Sequence, residues 1–257
     1  MAKQIVALLQ ARTDSTRLPG KVLKKLLDTP MIIHELHRIS KSKYITELIL
    51  ATSDEASDDD LSQVIIHHGF NIYRGSKNNV LKRFIDALKK LNLNDDDIVV
   101  RLTGDCPVHD SKIIDETISA FLETDCDYLT NSVKPIYPDG LDVEVFTYAS
   151  LKMANKLTKK PSQVEHATPF IRDSGLFKTV NLLKKEVYPQ WRLTVDEPED
   201  FIVIEKIYNH FGNNNFSLTD IISYLEKNPD IININSHINR NEGYLKSVEE
   251  DLRQKDT

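Results

Sequence analysis

Apolar and polar positions fall into alternating blocks along the first two-thirds of the chain. Ile5-Val-Ala-Leu-Leu9, Leu48-Ile-Leu-Ala51 and Ile98-Val-Val-Arg-Leu102 are short, nearly continuous apolar runs. That is the pattern of strands covered on both faces. Between them the apolar spacing turns helical: Val80, Leu81, Phe84, Ile85, Leu88 and Leu91 form one stripe. Thr29 before Pro30 predicts an N-cap with proline at the first helical position, opening a helix through Ile39. Strand and helix in turn predict an α/β fold, with a mostly parallel mixed sheet and helices on both faces. In such sheets ligands bind beyond the carboxyl ends of the strands, so the chemistry is sought in those loops.

From about Asn131 the texture changes. Pro135, Pro138, Asp139 and Gly140 mark a turn-rich stretch, and Leu141 to Phe146 alternates like a strand. Trp191-Arg-Leu-Thr-Val-Asp196 reads as a strand ending in an acid, followed by a helix opening at Glu197-Pro198. No Gly/Ser-rich linker, repeat or low-complexity tract interrupts the chain. The expectation is one domain over 1–257, with an insertion around 131–190 that carries substrate contacts and a dimer surface. The charged end, Ser247 to Thr257, is expected to fray. Met31 and Met153 are expected in the core. His34 and His37 are expected on a helix surface, and Asp58-Asp-Asp60 at a helix start, where acids suit the dipole.

Composition narrows the function classes. The chain has 257 residues, 40% hydrophobic and 28% charged, as in ordinary soluble domains. A formal net charge of −6 gives no basic footprint for nucleic acid or an anionic membrane. Any phosphate must therefore meet a local basic site. Cys106 and Cys126 lie far apart without metal-ligand spacing, which excludes a disulfide scaffold and a zinc site and suits a reducing cytosol. The first apolar run is too short for a signal peptide, so the expected location is cytoplasmic.

Such a local site follows the first strand. In Gln10-Ala-Arg12-Thr-Asp-Ser-Thr-Arg17-Leu-Pro-Gly-Lys21, two arginines and a lysine fall among small and turn-forming residues. Backbone amides and fixed cations at a strand's carboxyl end suit a triphosphate. The loop is not a Walker A motif, since Val22 stands where that motif has Ser or Thr. Val99-Val-Arg-Leu-Thr-Gly-Asp105 and Leu193-Thr-Val-Asp196 each bring an acid to the same rim. Two such carboxylates suit Mg²⁺, which takes a few protein oxygens and completes its shell with phosphates and water. Asp125-Cys-Asp127 spells a D-x-D but precedes a strand, which places it in a surface loop.

The runs LLQARTDSTRLPGKVL, RLTGDCP, PDGLDVEVF, EHATPFIR and RLTVDEPEDF, in that order, resemble the spore-coat polysaccharide biosynthesis protein F family. That family sits within the cytidylyltransferase superfamily of the CMP-Kdo and CMP-sialic acid synthetases. The likeness extends to the terminal Asn239-Arg-Asn-Glu-Gly-Tyr244 run. It implies a Rossmann-like nucleotide-diphospho-sugar transferase fold, related to the glycosyltransferase-A fold. It also implies transfer of CMP from CTP to a sugar acceptor, a 2-keto sugar acid first among the candidates, with Mg²⁺ as cofactor. A homodimer serving cell-surface glycan assembly is expected on the same basis. By resemblance, Arg12, Arg17 and Lys21 are the triphosphate and catalytic cations, and Asp105 and Asp196 the metal acids. Asp105 has a possible second part in catalysis. Leu9, Gln10 and Ala11 lie along the nucleoside, Thr103 beside it, and Gly75 and Ser76 in a second nucleotide-facing loop. Glu165, His166 and Arg172 meet the acceptor, with Asp139, Asp142 and Glu144 as further candidates. Two alternatives stay open: a glycosyltransferase of similar fold, and a nucleotidyltransferase using another nucleoside triphosphate and a sugar phosphate.

Overall fold

The computed structural model describes residues 3–185, 188–240 and 242–253. The chain runs β1 (Ile5–Gln10), the hairpin strands β2 (Lys25–Leu26) and β3 (Thr29–Pro30), α1 (Met31–Ile39), β4 (Glu47–Ser53), α2 (Asp59–His67) and β5 (Asn71–Gly75). It continues with α3 (Val80–Leu88), β6 (Ile98–Thr103), α4 (Ser111–Glu123), β7 (Tyr128–Thr130), β8 (Glu144–Thr147), α5 (Tyr148–Leu157), α6 (Pro161–His166), α7 (Pro169–Asp173) and β9 (Thr179–Asn181). Helices α8 (Pro198–Phe211), α9 (Leu218–Glu226), α10 (Pro229–Asn233) and α11 (Glu242–Arg253) complete it.

Seven strands form one sheet in the order β5-β4-β1-β6-β8-β7-β9, with β8 antiparallel to its neighbours. Successive residues of β1 serve the two faces. Ile5, Ala7 and Leu9 join the core beneath α1, α4 and α8, while Val6 and Leu8 join the core beneath α3 and α5. Burial on both faces is why the sequence shows unbroken apolar runs there. From β1 the chain moves to β4 and β5 on one side, then returns to β6 on the other. That reversal opens a crevice at the carboxyl ends of β1 and β6. Gly104 lets the two ends close up, since a Cβ there would lie 2.7 Å from that of Ala11.

Several expectations need correction. Thr29 and Pro30 pair with Lys25 and Leu26 in a hairpin, so the helix opens at Met31 and Thr29 caps nothing. Trp191 to Asp196 joins no strand ladder and makes a single isolated bridge, between Arg192 and Asp139. Its amides serve two loops instead, with Leu193 N–H donating to Asp139 O at 2.8 Å and Val195 N–H to Asp105 O at 2.7 Å. Only the last part of Leu141–Phe146 is strand. The Asn131 side chain takes the Leu141 carbonyl and the Val143 amide, each at 2.9 Å, in place of a ladder partner. Met31 is buried, but Met153 is exposed. His34 is buried against Tyr208, with a ring nitrogen 2.7 Å from Leu26 O, rather than on the surface. Ser247 to Arg253 belongs to α11, and Gln254 to Thr257 lies outside the described residues.

Candidate active site

The crevice widens into a cleft of about 890 Å³, the size class of small-molecule sites. Its floor is set by Lys21. The preceding loop is closed by Gly20, whose amide donates to Thr13 O at 2.9 Å and whose φ of 67° suits glycine. Asp58 fastens the same loop from beneath, accepting from Thr13 N–H at 2.8 Å and its hydroxyl at 2.7 Å. Asp58 is thus a buried anchor for the segment carrying Arg12, beyond the dipole role expected of it. So held, Lys21 Nζ donates to Val195 O at 2.7 Å, Asp196 Oδ1 at 2.8 Å and Asp105 Oδ2 at 3.2 Å.

These contacts fix the charge states. Burial works against the Lys21 ammonium, yet Asp105 and Asp196 outweigh it and hold its pKa above the ordinary lysine value. Burial likewise disfavours ionised Asp105, but the Lys21 charge and nearby hydrogen bonds bring its carboxyl down to about 2. Arg17 reaches the same Asp196 Oδ1 at 2.8 Å and Glu197 at 3.3 Å. Arg12 lies further along the cleft, 3.2 Å from Asp14 and 3.9 Å from Glu165. The three expected cations and the two expected metal acids therefore line one cleft.

On the opposite wall, Gly140 takes φ 97° and packs its backbone onto Leu193 and Thr194, where a Cβ would come within 2.6 Å. That contact seats Asp139 and Asp142 beside the segment ending in Asp196. Asp142 pairs with Arg240 but is pushed up to about 6 by burial, with Asp139 and Glu144 adding repulsion. Glu144 accepts from Arg101 at 2.8 Å. His166 closes α6 rather than opening a helix, and burial, then Arg101, push its imidazole down to about 4. Arg172, on α7, donates to the Tyr244 hydroxyl at 3.0 Å. Gln10, Ala11 and Thr103 line the cleft as well, whereas the Leu9 side chain points into the core. Gly75 and Ser76 line a smaller neighbouring pocket, linked to the cleft by Arg83, whose Nη1 donates to Ser76 O at 2.9 Å.

Comparison with known proteins gives the family. The model of the cytidylyltransferase family matches residues 6–228. The chain belongs to that family. It is 33% identical to the spore coat polysaccharide biosynthesis protein SpsF of Bacillus subtilis over 235 residues, 88% of this chain and 95% of that one. A solved cytidylyltransferase of Leptospira borgpetersenii superposes with a TM-score of 0.84 at 33% identity, over 90% of this chain and 97% of that one. A CMP-2-keto-3-deoxy-manno-octonic acid synthetase solved with CTP shares the fold, with a TM-score of 0.57 at 16% identity over 82% of this chain and 99% of its own. This cytidylyltransferase is thus a nucleotidyltransferase on a Rossmann-like sheet.

Two cleft residues of the cytidylyltransferase had no role in the sequence reading. Arg192 is buried and spans Asp139, Asp196 and Asp200 at 3.0, 3.1 and 2.9 Å. It ties the loop bearing Asp139 to the Asp196 segment. Asp200 in turn caps α8 through the box it forms with Glu197, the N-cap residue. The second is Arg240, between Asp142 and, at 3.7 Å, Asp139. Both stand inside the runs that carried the resemblance. Nothing in spacing alone marks an arginine as the bridge between three loops. For a metal, the carboxylates that meet in the cleft are Asp105 and Asp196, both paired with Lys21, and there is no group of three or more candidate ligands among the described residues. Mg²⁺ can work with one or two protein carboxylates when substrate phosphates and water complete its shell.

Proposed function

We propose that this cytidylyltransferase transfers CMP from CTP to a hydroxyl of a 2-keto sugar acid with Mg²⁺, in the cytosol, for cell-surface glycan assembly. The observation that carries this reading is the Lys21 ammonium held between Asp105 and Asp196 at the sheet's switch point. An acceptor oxygen attacks the α-phosphorus of CTP, the bond to the bridging oxygen breaks, and pyrophosphate leaves. Lys21, Arg17 and Arg12 stabilise the charge that grows on the transferring and leaving phosphates. When held by Asp105 and Asp196, Mg²⁺ neutralises and orients the triphosphate. Arrival of the phosphates gives Arg17 and Lys21 new partners and frees Asp196 Oδ1, which both now occupy.

The acceptor proton needs a base whose pKa lies near working pH. Asp105, at about 2, is suited to remain ionised. Asp142, at about 6, is matched to take the proton. A carboxylate-bearing acceptor is supported by the shared fold of the CMP-2-keto-3-deoxy-manno-octonic acid synthetase solved with CTP and by the arginines around His166. The glycosyltransferase reading loses its D-x-D: Asp125 is fully exposed, pairs with Lys178 at 2.7 Å and lies outside the cleft lining. The test is pyrophosphate release with CTP, UTP, GTP or ATP plus Mg²⁺, against 2-keto sugar acids and sugar 1-phosphates. Release with CTP and a keto acid supports the proposal, and release only with another pairing replaces it.

A further inference from the structure

The segment made of residues 239–240 and 242–247 lies beyond residue 228, where the match to the cytidylyltransferase family ends. It nevertheless supplies one side of the cleft. Gly243 stands against Arg17, its Cβ position 3.9 Å from the guanidinium, so the first turn of α11 borders the triphosphate cations. One residue on, Tyr244 faces the acceptor side. Its ring meets His166 edge-on at 5.1 Å, and its hydroxyl accepts from Arg172. Ser247 then donates to Glu165 at 3.2 Å and lies 3.1 Å from His166.

The described anchors of α11 in this region are mostly polar, the exception being the Tyr244 ring against His166 and Arg172, and none of its described side chains is fully buried. Ser162 and Asp251 add a further hydrogen bond at the far end. A helix attached in this way opens at low free-energy cost, because little apolar area is exposed when it lifts. The nucleotide-handling residues, by contrast, sit on loops pinned by buried anchors such as Asp58.

We propose that this segment is the acceptor-selecting wall of the cleft and that Tyr244 is its specificity-determining residue. The ring sets the depth of the acceptor subsite against His166, and its hydroxyl, together with the Asp173 carboxylate on which Arg172 forks at 2.8 and 2.7 Å, orients that guanidinium at the acceptor side. Arg240, paired with Asp142 and Asp139, holds the base of the wall. The inference rests on the CMP-transfer reading above, but it concerns which acceptor is taken and not which nucleotide.

The test compares wild type with Tyr244→Phe and Tyr244→Ala, using CTP, Mg²⁺ and the panel of eight- and nine-carbon 2-keto acids and sugar 1-phosphates. Tyr244→Ala is expected to lower kcat/KM for the preferred acceptor at least tenfold and to compress its ratio over the others. KM for CTP stays within twofold. Tyr244→Phe, which keeps the ring, retains the ranking by size and loses part of the preference for carboxylate over phosphate acceptors. A uniform loss across all acceptors, or a change confined to KM for CTP, overturns the proposal. Hydrogen exchange at Glu242–Arg253 gives a second readout on the wild type. Protection that appears with an acceptor of the panel and not with CTP alone supports the wall. Exchange unchanged by every acceptor overturns it, whatever the pyrophosphate assay returns. Absence of pyrophosphate from all pairs, with acceptor-dependent protection, overturns the reaction and leaves the wall standing.

Discussion

Lys21 carries the heaviest single burden in the site. Its three donors all have partners, two of them acids that would otherwise face each other across the floor. Lys21→Ala is expected to lower kcat by about 10²–10³, the cost of losing one preorganised donor, as read by pyrophosphate release. A loss below tenfold would remove it from the mechanism. Arg192 acts on stability instead. Arg192→Met leaves Asp200 buried without its partner, and urea unfolding should show a loss of about 3–5 kcal/mol. At pH 7, His166 is neutral, because burial among arginines holds it at about 4. Asp142 is raised, so its basic form appears only as pH climbs through about 6. The acceptor kcat/KM should fall below that pH in wild type and lose this limb in Asp142→Asn, while His166→Gln leaves the limb in place. Such residue roles were only partly legible. The cations and acids stood in runs of distinctive type, but the value near 6 for Asp142 comes first from burial, which the residues around it in sequence do not announce.

The elements explain why some of the sequence could be read and some could not. Strands β1, β4 and β6 are buried on both faces, and their apolar runs announced them. The stripe from Val80 to Leu91 likewise became α3 with a tight final turn. Trp191 to Asp196 has the composition of a strand, yet its hydrogen bonds go to the loops at Asp139 and Asp105. Local pattern cannot tell a ladder partner from a loop partner, since both want extended backbone and alternating burial. Asp58 taught the same lesson at a helix start. Its acid type suits the helix dipole, but the carboxylate is spent on Thr13 and Ser53. Asp58→Ala should therefore loosen the loop bearing Arg12. Steady-state kinetics should show KM for CTP rising about tenfold, the cost of one charged hydrogen bond, with kcat changed less. An unchanged KM would mean that the loop holds its shape without the anchor.

At the scale of the molecule, a chain of net charge −6 brings Arg12, Arg17 and Lys21 to one rim. On the proposed reading, that arrangement gathers a triphosphate without a basic surface that would also gather nucleic acid. The switch point between β1 and β6 decides where the rim lies, and Gly104 and Gly140 let three loops meet over it. The most direct measurement is Mg²⁺-dependent pyrophosphate release from CTP in the presence of the keto-acid panel, with wild type and Asp105→Ala side by side. The account predicts release with CTP in preference to UTP, GTP and ATP, matched by a CMP-linked sugar and lost in Asp105→Ala. Pyrophosphate that forms equally well in Asp105→Ala, or only with a nucleotide other than CTP, would contradict it.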